Sequence, residues 1–256
     1  MRELFSLAAQ AERSRGDAKS KEKIMDENEL TILYEDNHII VVMKPQNLPC
    51  CPDESNDDNL LDGIKRYIKI KYDKPGNAYV GLVHRLDRPT GGVMVFAKTS
   101  KAAGRLSEQM KNGGFEKRYF AVLCGILDKK SGTLENYLRK HSLNNMVYVC
   151  TQTEEGAKFA SLDYEIKEEA DGLSLAEIRL NTGRTHQIRV QTAAINAPVY
   201  GDMRYGGAKA VKGKLALWAY SLRFTHPTTG EKLRFVVLPP AEDAPWNKFD
   251  GKNYGV

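Results

Sequence analysis

Two apolar runs close on a charged turn between Gly81 and Thr99, and no other stretch limits the possible folds of this chain as strongly. Val80, Leu82 and Val83 lead in; Val93, Met94, Val95, Phe96 and Ala97 lead out. Short apolar runs bounded by Pro and Gly read as buried strands. The turn between them carries His84, Arg85, Asp87, Arg88, Pro89, Thr90, Gly91 and Gly92. A strand pair therefore presents one carboxylate among two arginines and a histidine, on the kind of scaffold-held loop where chemistry is usually mounted.

The remaining signals are many strands and a few helices without regular alternation. Thr31 to Met43 holds two apolar runs around a Glu35-Asp36-Asn37 turn, with Ile39 to Met43 a strong strand. The spacing of apolar residues predicts a helix over Leu60 to Tyr72, capped by Asp58 or Asn59. A second helix is expected from a Ser100 cap through Lys111, with Gly113 as its stop. Strands are expected over Phe115 to Cys124, Val147 to Thr151, Phe159 to Ile166 and Leu173 to Leu180, the last entered through an Asp171-Gly172 turn. Thr182 or Thr185 can cap a third helix ending near Asn196. Its first turns carry Arg184, His186 and Arg189, a setting that suits a carboxylate or phosphate. Leu215 to Thr225 and Lys232 to Leu238 form a last hairpin. This pattern predicts an α+β fold with a mixed, mainly antiparallel sheet and flanking helices. Residues 1–30 read as an N-terminal extension, partly disordered or helical, residues 31–245 as the main domain and residues 246–256 as a tail.

At 256 residues, 41% hydrophobic and 28% charged, the composition is that of a globular protein with ample core. No apolar run has the length of a membrane span, and the N-terminus lacks a signal-peptide core, so no membrane association and a cytoplasmic location are expected. Cys50, Cys51, Cys124 and Cys150 lack metal-type spacing and are expected as reduced thiols. The net charge is only +5, but residues 181–223 hold seven basic residues and one acid, Asp202. Such an excess suggests a polyanionic partner, most often nucleic acid; the alternative is a solvated face balanced by acids elsewhere.

Asp87, flanked by Arg85 and Arg88, is expected as an anion, able to act as nucleophile, general base or metal ligand, or simply to close a structural ion pair. Metal binding by His84, Asp87 and His186 is opposed by the surrounding arginines. Tyr119 falls on the Ala121 and Leu123 face of its strand, where it is either a core tyrosine or an aromatic that stacks on a base. Arg189, between Ile188 and Val190, is expected to be partly buried and so to need a partner, for which Asp87 is the candidate.

Taken together, H-R-L-D-R-P-T-G-G, K-R-Y-F-A-V, T-G-R-T-H-Q-I-R-V and A-P-V-Y-G-D-M-R-Y-G resemble, in that order, the motifs of the RluA family of RNA pseudouridine synthases. The Y-E-D-N-H-I-I-V-V-M-K-P opening and the T-H-P-T-T-G-E hairpin are similar too, so the resemblance spans about residues 31 to 240. It implies the pseudouridine synthase fold with a central cleft. The implied activity is isomerisation of uridine to pseudouridine in transfer or ribosomal RNA, with no cofactor and no metal. A monomer needing no obligate protein partner is the default expectation. By that likeness Asp87 is the nucleophile, Arg85 fills the space left by a flipped nucleotide, Tyr119 stacks on the flipped base and Arg189 pairs with Asp87. His84, Arg88, Thr90, Arg184, Thr185, His186 and Gln187 are the implied RNA-binding residues. Two positions depart from the family: Gly91, where Ser is frequent, and Gln191, where His is common. Residues 1–30 are too short for the small N-terminal RNA-binding domain of many relatives. A non-catalytic RNA-binding module using the same cleft is the alternative reading, and a metal-dependent hydrolase a more distant one.

Overall fold

The computed structural model describes residues 30–73, 75–141 and 144–250. Along the chain run β1 (Thr31–Glu35), β2 (Ile39–Lys44), α1 (Leu60–Lys71), β3 (Gly81–Leu82), β4 (Gly91–Ala97) and α2 (Ser100–Lys111). Then come β5 (Glu116–Cys124), β6 (Ser131–Lys140), β7 (Val147–Cys150), β8 (Lys158–Ala170), β9 (Leu173–Leu180), α3 (Gln187–Ala194), β10 (Leu217–Thr225) and β11 (Lys232–Val236). The described strands form one sheet in the order β1-β2-β4-β10-β5-β9-β8-β6-β7, with β3 beside β4 and β11 beside β10. Every described pairing is antiparallel except that of β10 with β4.

Both faces of the central strands are covered, which is why they read as unbroken apolar runs rather than alternating ones. Ile40, Val42, Met94 and Phe96 face one side, with Leu60, Ile64 and Ile68 of α1 packed over them. Ile39, Val41, Val93 and Val95 face the other, under Ala102 and Leu106 of α2. Farther along that second face, Phe120, Trp218 and Tyr220 are covered by Trp246 and Phe249. Tyr119, Ala121 and Leu123 lie on the first face, as their alternation with Phe120 and Val122 requires.

Asn59 caps α1 by accepting from Asp62 N at 3.0 Å. The cap of α2 is Thr99, not Ser100: the Thr99 hydroxyl accepts from Ala102 N at 3.1 Å. The third helix departs further from expectation. It starts at Gln187, and His186 before it has a left-handed backbone (φ 52°) and no side-chain cap. Neither Thr182 nor Thr185 caps it. The Thr182 hydroxyl accepts from Ser161 N at 3.0 Å and donates to Gln187 Oε1 at 2.7 Å, tying the loop to β8 instead. The long strand β6 gives little sequence signal, because most of its residues stay partly exposed between polar neighbours. Residues 1–29 of the expected N-terminal extension lie outside the described residues.

Candidate active site

The turn at Asp87 is built from below. Its ends close through Thr90 N, which donates to Asp87 O at 2.9 Å. Lys44, the last residue of β2, is fully buried, and its ammonium donates to Pro45 O (2.9 Å) and Arg88 O (3.0 Å). Burial pulls its pKa down to about 8. Gln46 Nε2 donates to Pro89 O at 3.0 Å and to Leu215 O at 2.6 Å. The Cys50 thiol donates to Leu86 O at 3.1 Å and accepts from Leu86 N at 3.4 Å. Three side chains therefore satisfy the backbone of the turn and leave the Asp87 carboxylate free to face upward. None of the three was marked by sequence reasoning; the available signal was a lysine ending an apolar strand.

Asp87 lines a cleft of about 430 Å³, a size typical of small-ligand sites. Arg189 Nη1 lies 3.5 Å from its Oδ2, and His186 Nε2 lies 3.8 Å from the same atom. The principal partner of Arg189 is a different acid, however. Its Nε and Nη2 make a bidentate pair with Asp202, at 2.7 and 2.8 Å, and both residues are buried. Asp202 Oδ1 also accepts from the backbone N–H groups of Arg204 (3.0 Å) and Tyr205 (3.1 Å). Burial alone would push the Asp202 carboxyl up; Arg189 and these donors hold it below its ordinary value. Burial likewise opposes the Arg189 charge, and Asp202 more than restores it. Tyr205 completes the brace: its ring lies 5.0 Å under the guanidinium, and its hydroxyl meets His186 Nδ1 at 2.7 Å and Val147 N at 3.0 Å.

The other expected residues divide into those that face the cleft and those that serve the frame. Tyr119 lines the cleft from β5, and burial, then the Asp87 charge, raises its pKa, so the phenol keeps its proton. Arg85, Thr90, Arg184, Thr185 and His186 also line it. Burial, reinforced by Arg189 and Arg204, lowers the His186 pKa against the pull of Asp87. His84 lines the cleft too, but its Nε2 accepts from Val95 N at 3.1 Å, and burial, then Lys117, pushes its pKa down to about 3. It is a neutral hydrogen-bond acceptor for β4. Gln187 also lines the cleft, but its side chain is spent on the frame: it accepts from Arg184 N (2.9 Å) and donates to Ser161 O (3.0 Å). Arg88 turns away from the cleft to Asp57, Ser55 and Asn47 O.

Several cations of the basic segment over residues 181–223 have local partners. Lys214 pairs with Asp243, Arg223 lies 3.5 Å from Glu116 and Lys209 donates to Asn196 O. Of the seven, Arg184 and Arg189 line the cleft. Its other cations are Arg85, Lys117 and Lys140, brought from three distant parts of the chain. A carboxylate beside a braced arginine, a protonated phenol and a basic rim can hold a polyanion and present a nucleophile to it.

A family model described as RNA pseudouridylate synthase matches residues 38–194, which include Asp87, Tyr119 and Arg189. The chain belongs to the RNA pseudouridylate synthase family. This RNA pseudouridine synthase, an isomerase, falls within the RluA group, in keeping with its ordered motifs. It is 35% identical over 231 residues to the ribosomal large subunit pseudouridine synthase D of Xanthomonas campestris, covering 84% of this chain and 67% of that one. It is 37% identical over 208 residues to the RNA pseudouridine synthase YjbO of Bacillus subtilis, covering 80% of this chain and 71% of that one. Among solved structures, human RNA pseudouridylate synthase domain containing 1 matches with a TM-score of 0.69 and 25% identity over 87% of this chain and 88% of that one. The pseudouridine synthase fold expected from the motifs is thus the fold observed.

Proposed function

We propose that this synthase acts through Asp87 as nucleophile and that its target uridine lies in large-subunit ribosomal RNA. The observation that carries the first part is the placement of Asp87, pinned from below by Lys44, Gln46 and Cys50 and faced by an arginine that Asp202 holds still. The isomerisation breaks the N1–C1′ bond, forms a C5–C1′ bond, and exchanges a proton at C5 for one at N1. Atoms balance within the nucleotide, so no redox partner or group donor is called for. Asp87 attacks the ribose C1′ or the base C6; both routes free the uracil to turn and rejoin through C5. The base must leave its stack to be reached, at a cost of a few kcal/mol. Stacking on Tyr119, entry of Arg85 into the vacated space and phosphate contacts along the basic rim offset that cost.

The ribosomal assignment rests on what several relatives are called, and transfer RNA is its competitor. Pseudouridine mapping in total RNA from a strain lacking the protein, beside its parent, decides between them: loss at a large-subunit site is expected, and loss confined to transfer RNA overturns the ribosomal part. Asp87→Asn is expected to lower product formation at least about a thousandfold while RNA binding persists. Wild-type turnover by Asp87→Asn would end the nucleophile assignment.

A further inference from the structure

Lys117 stands on β5 two residues before Tyr119 and on the same face, about 6.8 Å farther along the strand. It is partly buried and lines the catalytic cleft. Other cations withdrawn from water have polar partners: Lys98 has Glu35, Arg189 has Asp202, and Lys44 has the carbonyls of Pro45 and Arg88. Lys117 has none of that kind. Among the described residues no carboxylate lies within ion-pair distance, and its polar contact is the Met110 thioether at 3.9 Å. Burial alone governs its titration and lowers its pKa. The neighbouring His84 is neutral and supplies no counter-charge.

The loop opposite makes room for this ammonium. Gly183 has no side chain, and a Cβ built there would lie 3.1 Å from Lys117 Nζ. The next residue, Arg184, is exposed and spends its Nε on Phe159 O, at 2.8 Å. A partly desolvated cation costs free energy until an anion arrives. Uracil is neutral and does not meet that need; a phosphodiester does, and RNA brings one with every nucleotide. The separation from Tyr119 is on the scale of a single nucleotide.

We propose that Lys117 binds a backbone phosphate next to the nucleotide held against Tyr119, and so sets the depth at which that nucleotide enters the cleft. This rests on the reading of the cleft as the RNA site. Lys117 is a positioning residue in that scheme, because it touches the RNA backbone and not the reacting atoms.

The test uses a fluorescein-labelled oligouridylate and the full chain. Lys117→Met is expected to raise Kd roughly tenfold. It is also expected to flatten the dependence of log Kd on log salt by about 0.7 to 1, the release of one phosphate contact. In Lys117→Met KM rises more than kcat falls, and Lys117→Arg restores both the slope and KM. A purely structural lysine would shift the melting temperature without moving the slope. An unchanged slope in a folded Lys117→Met protein overturns the proposal. A second arm needs no substitution: acetylation followed by mass spectrometry is expected to show Lys117 protected by oligouridylate while Lys65, on the outer face of α1, is not. Equal labelling of Lys117 with and without the oligomer also overturns it. Tritium release from C5-labelled cellular RNA by the unsubstituted protein reads the reaction separately. Slope loss without tritium release would sink the functional reading and leave the phosphate contact standing.

Discussion

Lys44 has no exposed surface, yet it carries an ammonium and holds the carbonyl of Arg88 at 3.0 Å. Burial lowers its folded-state pKa from 10.5 to about 8. Below that lower value both folded and unfolded chains bind the proton; between the two values chiefly the unfolded chain does. Stability contributed through Lys44 therefore rises with pH across this window, by roughly 3 kcal/mol in full. Urea unfolding at about pH 7.5 and about pH 10 should show the parent gaining stability relative to Lys44→Met; identical pH dependence would clear Lys44 of that role. Arg189 gives a second residue-level expectation. Asp202→Asn keeps the shape of the side chain but leaves the buried guanidinium with only Asp87, 3.5 Å away. That should cost about 3–5 kcal/mol in unfolding measurements and lower kcat as well. Sequence reasoning recognised that Arg189 would be buried because Ile188 and Val190 flank it. It named Asp87 as the partner and missed Asp202, which is placed by a turn whose backbone donors to its carboxylate are invisible in one dimension.

Among the elements, the start of β4 is the tightest joint. A Cβ on Gly91 would lie 2.2 Å from the Trp218 ring, and Gly92 has φ +125° with Ala219 O 2.2 Å from its would-be Cβ. Gly91 thus belongs to the seam between β4 and β10 more than to the loop. The Ser frequent in the family at this position does not fit under Trp218, whose Nε1 donates to Val237 O at 2.8 Å. Gly91→Ser should lower stability by about 1–3 kcal/mol through overpacking. An unchanged melting temperature would mean the tryptophan moves freely. The other departure, Gln191, is likewise structural: its amide donates to Leu134 O (3.0 Å) and Asn136 Oδ1 (2.8 Å), anchoring α3 to β6. Elements buried on both faces were legible as apolar runs, and α1 and α2 as helical spacings. β6 was not, because a strand left largely in solvent needs no apolar period. The start of α3 was misread because Thr182 spends its hydroxyl on Gln187 and Ser161, partners fixed by tertiary structure.

Over the whole molecule, the cations of the cleft are gathered from distant parts of the chain. The cleft draws its cations from the Asp87 turn, β5, β6 and the α3 approach, whereas several cations of the basic segment answer acids or carbonyls elsewhere. Lys140 reaches the cleft and also lines a neighbouring depression with Lys158 and Arg184. Lys140→Ala should therefore weaken RNA binding and flatten its salt dependence by about one unit. Lys209→Ala, although nearer to Arg189 in sequence, should leave both unchanged. Equal effects of the two substitutions would mean that charge, not the cleft, governs affinity.

Gln46 reaches across 169 positions of sequence to Leu215 O while also holding Pro89 O, and β10 slots between β4 and β5. This geometry has a consequence for biosynthesis. A nascent chain emerging from the ribosome displays Asp87 well before β10, the strand that locks the turn, has been translated. Local pieces such as the β8–β9 ribbon can zip on the way out, whereas the cleft must wait for long-range closure, the slow and entropically costly step of folding. The cleft is thus assembled only after Leu215 has been made, 128 residues beyond Asp87.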